Sequence, residues 1–494
     1  MSSTTSARPA GRRAATIRHE VTGMLHTVTA LRVGGWAHLL VARDGLGRIV
    51  IPGTSLAGAL RAWLGTVAGP AGSPLFDATA LGKVFGNLEQ GGQDEELCRV
   101  RVDDAVVVGD TLLEIRDGVG IDRDTGAAAA GLLYQHEVIP PHTLLAVRIT
   151  ASQTSDDPER VGEALRLLVT ALAEGRIALG AARTRGLGRV RLTGARHVRI
   201  DLTDRAQVLA WLCGQVLPTP DAGAGAGPVV VADSRLSIEI RWSPVTPVMV
   251  QASTVNEPEA ESDRDPVDIV PLQAMCSGSD SRARLILPGS SVKGVLRSHA
   301  ERIMRTLLGI ADLPGKWLGQ VNDPRLTAVQ VLFGAAGDHS GQDGGSGQQG
   351  ALSVNDCYGD MTAERVVTHT AVDRWTGGAA ENLLFSVQEP AAADWEPMRM
   401  SLDTHRVSSG ENENNHAIAL LLLVLRDLAD GWLALGFGGT RGRGAVSVAE
   451  ITFDGSKLPQ PWADLCGRTL ADLIGDPPEA VSHAFVSWQD MMPA

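Results

Sequence analysis

The chain repeats itself at domain length. Ile51-Pro52-Gly53-Thr54-Ser55-Leu56-Ala57-Gly58-Ala59-Leu60-Arg61 returns as Leu287-Pro288-Gly289-Ser290-Ser291-Val292-Lys293-Gly294-Val295-Leu296-Arg297. Four further landmarks recur in the same order. Phe85-Gly86 matches Phe333-Gly334, and Val102-Asp103-Asp104 matches Val354-Asn355-Asp356. Asp122-Arg123-x-Thr125-Gly126 matches Asp373-Arg374-x-Thr376-Gly377, and Thr184-Arg185-Gly186-Leu187-Gly188 matches Thr440-Arg441-Gly442-Arg443-Gly444. The interval is far longer than a solenoid unit, so a whole domain has been duplicated. Any fold must be one that this sequence builds twice.

The softest stretch, residues 218–228 (PTPDAGAGAGP), falls between the two sets of landmarks and reads as a linker. The first copy is then residues 17–217 and the second 229–456, with a flexible tail at 1–16 and a C-terminal extension at 457–494. A second Gly-rich stretch at 334–350 reads as a surface loop inside the second copy. With 494 residues there is length for two cores, and 44% hydrophobic against 20% charged residues is a globular balance.

Each copy follows a strand–helix grammar. Residues 25–33 are the expected first strand, ending at Gly34-Gly35. The Pro-Gly turns open helices. Asp157-Pro158 is an N-cap with proline at the first helical position, followed by Val161, Ala164, Leu165, Leu168 and Leu172 at helical spacing. The matching helix holds residues 418–428. Helix, short strand, Gly-Arg loop and strand then close both copies. This pattern predicts an α+β protein of two tandem ferredoxin-like (RRM-like) domains with inserted loops or hairpins.

The repeated motifs combine glycine with arginine, which suits phosphate. A Pro-Gly-Ser turn exposes backbone N–H groups at a helix start, and the hydroxyls of Ser55, Ser290 and Ser291 cap the helix or bond an anion. One turn on, Lys293 and Arg297 share a face, whereas the first copy keeps Arg61 but has Ala57. An ordinary capped helix with solvated basic residues would look the same in one copy; recurrence in both favours the nucleic-acid reading. The Gly-Arg loops carry Arg183, Arg185, Arg441 and Arg443, where glycine admits a backbone and guanidinium forks grip phosphate. A hairpin with exposed arginines is the equal alternative. Neither loop is a nucleotide-hydrolysing Gly-Lys-Ser/Thr motif. Asp263, Asp265 and Asp268 form an acidic stretch able to hold a divalent metal beside phosphate, or simply a solvated loop. Asp122-Arg123 and Asp373-Arg374 read equally as structural ion pairs.

The order of these motifs resembles the RAMP superfamily of CRISPR-associated proteins, and within it the guide-RNA-binding backbone subunit of type III effector complexes. Two units on one chain are similar to the fused subunits of type III-D complexes. The resemblance covers most of both copies, leaving out the Gly-rich 334–350 stretch and the C-terminal tail. It implies palms that hold guide RNA, thumb hairpins that interrupt the guide–target duplex, and cleavage of target RNA by its own 2′-hydroxyl. An aspartate before the Pro-Gly turn supports that step with Mg²⁺ or another divalent metal. Carried over, Asp268 takes this catalytic and metal-binding place, and His38 stands nearest to it in the first copy. That departure puts first-copy cleavage in doubt, and a lone histidine is more often structural. The implied partners are guide RNA, target RNA and other type III subunits, including the large polymerase/cyclase-type subunit. Two other readings remain: a non-catalytic structural RAMP subunit, and a guide-RNA-processing endonuclease using histidine.

The net charge of −13 argues against nucleic-acid binding by bulk charge and leaves room for a local basic groove. Five scattered cysteines without a CxxC pair read as reduced thiols in a cytoplasm. The apolar run at 417–425 is too short to span a bilayer, and the N-terminus has no secretory signal, so no membrane role is expected.

Overall fold

The computed structural model describes residues 15–34, 39–67, 74–86, 98–154, 160–215, 235–252, 267–275, 283–337, 347–407, 411–455 and 458–489. The linker at 218–228, Asp157-Pro158, His38, Asp263, Asp265, the tail before residue 15 and much of the 334–350 stretch lie outside these residues. No helix among those described is long and apolar enough to cross a membrane.

Each copy is a βαββαβ unit on an antiparallel sheet. In the first, strand Ala15–Thr27 lies between Leu144–Thr154 and Val190–Asp201, while the short strands Val100–Val102 and Ala105–Val107 flank Leu144–Thr154. In the second, Arg235–Pro244 lies between Met398–Asp403 and Val446–Asp454, with Leu352–Val354 beyond Met398–Asp403. The two strand orders are the same. This is the predicted α+β ferredoxin-like unit, built twice.

Two helices cover one face of each sheet. Helix Gly53–Leu64 buries Leu56, Leu60 and Leu64, one residue per turn. Helix Arg160–Ala173 buries Val161, Ala164, Leu165, Leu168, Ala171 and Leu172, matching the spacing read from sequence. They join Val21, Leu25, Leu145, Val147, Ile149 and Leu192 in one core. The second core is built likewise on Gly289–Leu307 and Glu411–Ala429. It also takes in residues beyond 457: Trp462 is fully buried, and helix Glu479–Gln489 lays Val481, Ala484 and Trp488 into the same cluster.

The first strand differs from expectation. It runs Ala15–Thr27, ten residues earlier than residues 25–33 would begin, and overlaps them only at 25–27. Its inward side alternates at His19, Val21, Leu25 and Thr27. His19 hides that period in the sequence. It is polar yet buried, with Nε2 at 3.0 Å from Gln153 Oε1 and Nδ1 at 3.0 Å from His197 Nε2.

The repeated landmarks turn out to depend on one another. The Gly53 N–H donates to Asp104 Oδ1 at 2.7 Å, and the Gly289 N–H donates to Asp356 Oδ1 at 2.9 Å. The aspartate of the Val-x-Asp landmark therefore caps the helix opened by the Pro-Gly landmark. The chain passes so close here that a Cβ on Gly53 would strike the Val102 carbonyl oxygen, and one on Gly289 that of Val354. The Asp-Arg-x-Thr-Gly landmark is the tip of a long hairpin, Glu114–Ile121 with Ala128–Val138 and Cys357–Val372 with Ala379–Trp395. There Asp122 Oδ1 accepts the N–H groups of Asp124 and Thr125, as Asp373 Oδ1 accepts those of Trp375 and Thr376.

Gly289→Ala should therefore cost more than about 2 kcal/mol in urea unfolding, the range of overpacked sites. Gly294→Ala, in the same helix with open space around it, should stabilise the fold by up to about 1 kcal/mol through helix propensity. Equal effects from the two would refute the close-approach reading.

Candidate nucleic-acid interface

Both Gly-Arg loops adopt one shape. A three-residue 3₁₀ turn, Arg183–Arg185 or Gly439–Arg441, is closed at its end by a left-handed glycine, Gly186 or Gly442. The turn lifts Arg183, Arg185 and Arg441 into solvent. An aromatic residue of the same copy's hairpin then meets the loop arginine. Arg185 Nη1 is 3.3 Å from the Tyr134 hydroxyl. Arg441 stands over the rings of Phe385 and Phe437, at 5.7 and 5.3 Å from their centroids. Sequence reading missed both aromatics, because only the fold brings hairpin and loop together.

Arg443 faces the other way. It is buried, with Nε donating to Glu389 Oε2 at 3.1 Å and Nη2 at 2.7 Å from His369 Nε2. It ties the second loop to its own hairpin.

At the Pro-Gly helices, Ser55 and Ser290 are exposed and Ser291 is half-buried. The basic residues that follow turn inward. Arg61 Nη1 donates to the Gly86 carbonyl at 3.0 Å, linking the first two landmarks. Arg297 donates through Nη2 to the Val321 carbonyl at 2.6 Å and through Nε to Glu301 at 2.8 Å. Lys293 Nζ donates to the Leu352 carbonyl at 2.7 Å, and burial, then Arg185 and Arg297, push its pKa down to about 7.

Arg185 belongs to the first copy and Lys293 to the second, so the two copies meet here. Gly186 of the first loop lies against Asp356, and a Cβ there would strike its carboxylate. Asp356 Oδ2 accepts Arg116 Nη1 from the first hairpin at 2.6 Å, and Arg116 Nη2 also donates to Glu114 at 3.0 Å. All three side chains are buried. Burial works against the charge on Arg116, but Asp356 and then Glu114 outweigh it and raise its pKa above the ordinary value. The first hairpin's tip docks further along. Arg123 Nε donates to Glu301 at 2.7 Å, its N–H to Gln320 Oε1 at 2.9 Å, and Trp317 Nε1 to the Ile121 carbonyl at 3.0 Å. Asp122-Arg123 is thus structural, but it joins the copies and does not fix one domain.

Asp268 sits beside the second hairpin. Its Oδ2 accepts the Ser386 N–H at 2.7 Å and the Ser386 hydroxyl at 3.0 Å. The backbone bond first, then the hydroxyl, hold its carboxyl below the usual carboxylate range, so it stays ionised. The next residue, Ile269, accepts the Gln388 N–H at 2.9 Å. In the first copy Leu39 accepts the Glu137 N–H at 2.9 Å in the same way. This makes His38 the sequence counterpart of Asp268; His38 itself lies outside the described residues, as do Asp263 and Asp265.

Two measurements probe this junction. Arg116→Leu would leave two buried carboxylates without their cation and should cost about 3–5 kcal/mol in chemical denaturation; a loss below 1 kcal/mol would mean the pair holds nothing together. Lys293 titrates lower when folded than when unfolded. Between about 7 and 10.5, then, the unfolded chain binds the proton that the folded chain lacks, and stability rises with pH. The stability gap between the parent and Lys293→Met should accordingly widen in the parent's favour from pH 7 to 10. A gap independent of pH would contradict this.

The family model of the RAMP superfamily matches residues 24–191 and 275–447, one stretch in each copy and well over half of the chain. No curated protein matches it.

Proposed function

Because the chain belongs to the RAMP superfamily, whose members are CRISPR-associated RNA-binding proteins, we propose that it is a fused two-unit backbone subunit of a type III, III-D-like effector complex. In this reading it binds guide RNA and cleaves complementary target RNA. The observation that carries the RNA contact is the pairing, in both copies, of an exposed loop arginine with a hairpin aromatic: Arg185 with Tyr134, and Arg441 with Phe385. An arginine oriented this way offers its fork to a phosphate at little entropic cost. Gly58 and Gly294 support it. Each is an exposed glycine inside a helix with open space around it, beside Ser55 or Ser290, where an RNA backbone can approach closely. Arg183 and Ser291 extend the same surface. Lys293, Arg297, Arg61 and Arg443 act by holding that surface in shape.

Cleavage is assigned to Asp268. No group of three metal-ligating side chains occurs among the described residues. An exposed, ionised carboxylate still suits Mg²⁺, which is commonly held by one or two carboxylates together with substrate phosphates and water. A metal held there would offset the charge developing on the scissile phosphate. Asp268 itself is oriented by Ser386 and keeps its negative charge at the edge of the hairpin. The attacking group is the target's 2′-hydroxyl. It bonds to phosphorus as the bond to the 5′-oxygen breaks, leaving a 2′,3′-cyclic phosphate and a 5′-hydroxyl. The large polymerase/cyclase-type subunit and further backbone subunits are the expected neighbours.

Asp268→Ala in the assembled complex should abolish one cut in a labelled complementary RNA while guide and target remain bound. EDTA should abolish the same cut, and His38→Ala should leave the pattern unchanged. An unchanged pattern for Asp268→Ala would overturn the site. Loss of target binding along with the cut would instead assign Asp268 to anchoring the hairpin through Ser386, the non-catalytic reading.

A further inference from the structure

A seam runs between the two copies on the side of Arg189, and its charges do not balance. A cavity of about 230 Å³ lies across it, lined by Thr29, His142 and Arg189 from the first copy and by Arg284, Tyr358 and Arg399 from the second. A second cavity of about 250 Å³ adjoins it, sharing His142 and Arg189 and adding His26 and Arg191.

Every carboxylate lining these cavities already has a cation. Asp356 holds Arg116, Glu396 holds Arg284 at 3.0 Å, and Glu174 holds Arg176 at 2.7 Å. Arg399 pairs with Glu239 at 3.1 Å on the open face of the sheet. Arg189 and Arg191 form no ion pair with a described carboxylate. The Tyr358 hydroxyl is buried without a hydrogen-bond partner among the described residues, as is Glu114 Oε1. Cations without a carboxylate partner are thus in excess where the two cavities join, at Arg189 and Arg191. Burial, followed by repulsion from Arg399, Arg191 and Arg235, lowers the pKa of Arg189. Arg406 and then Arg235 bear on Arg183 of the Gly-Arg loop, so arginines continue towards that loop, with Asp403 paired to Arg406 among them. Like charges crowded in this way are relieved by an anion rich in acceptors, and a strip longer than one cavity fits a chain of phosphates better than a single one.

Resting on the RNA-binding reading above, we propose that the seam walled by Arg189, Arg191 and Arg399 is a second binding site for the phosphodiester backbone of RNA, one that exists only where the two copies meet.

The test uses the full chain, a fluorescein-labelled single-stranded RNA and anisotropy at several salt concentrations. The Arg189→Gln/Arg191→Gln double variant removes two unpaired cations and should leave thermal unfolding unchanged. It should bind at least about tenfold more weakly at low salt, with a salt slope shallower by roughly 0.7 per lost phosphate contact. Unchanged affinity and slope, with Arg441→Ala still weakening binding, would refute the seam and leave the loop reading standing. Failure of the parent chain to bind RNA would refute both. Inorganic phosphate raising the melting temperature of the parent but not of the double variant, with RNA affinity equal in the two, would make the seam a free-anion site and overturn the assignment to RNA.

Discussion

One carboxylate holds the molecule's two halves in register. Asp356 gives Oδ1 to the first N–H of the second Pro-Gly helix and Oδ2 to Arg116 of the first hairpin. The same side chain thus starts a helix and joins two domains. Its burial would be costly without both partners, since a carboxylate out of water needs its charge matched and its lone pairs filled. Gly186 and Gly289 are small for the same reason: a Cβ on the first would strike the Asp356 carboxylate, and one on the second the backbone just ahead of it.

The duplication, the ferredoxin-like unit and the helical spacing of residues 161–172 were all legible in the sequence, because periodicity and repeated turns are local signals. What each landmark does was not. The Pro-Gly turns and the Val-x-Asp landmarks read as separate motifs, and only the fold puts Asp104 on Gly53 and Asp356 on Gly289. Arg297 and Lys293 looked like free cations at helical spacing, yet their donors end on the carbonyls of Val321 and Leu352. Sequence spacing says which face of a helix a residue occupies, not what packs against that face. Arg116 and Glu301 gave no sign of joining the copies, since neither belongs to a repeated motif and each has one partner across the junction, Asp356 and Arg123.

The net charge of −13 also takes on a spatial meaning. Acidic residues are spent near the junction: Glu114 and Asp356 on Arg116, Glu301 on Arg123 and Arg297, Glu389 on Arg443. The loops and the seam keep arginines in solvent: Arg183, Arg185 and Arg441 on the loops, and Arg189 and Arg191 on the seam. A protein can be acidic overall and still present a basic line, provided its internal pairs use up the neighbouring carboxylates.

The joint between the copies is head to tail: a hairpin on one side, a helix start on the other. Such a contact does not close on itself and leaves two unlike ends. At one end the second hairpin's tip shows Trp375 at 96% exposure. At the other, Asp104 caps Gly53 and has no cation partner among the described residues. Yet the ends are not copies of the joint. Counting from the repeated landmarks, Val367 stands where Arg116 would be and Gly65 where Glu301 would be. Two such molecules laid end to end would lack both ion pairs. The two ion pairs of the joint are therefore made between the chain's own copies and not offered again at its ends.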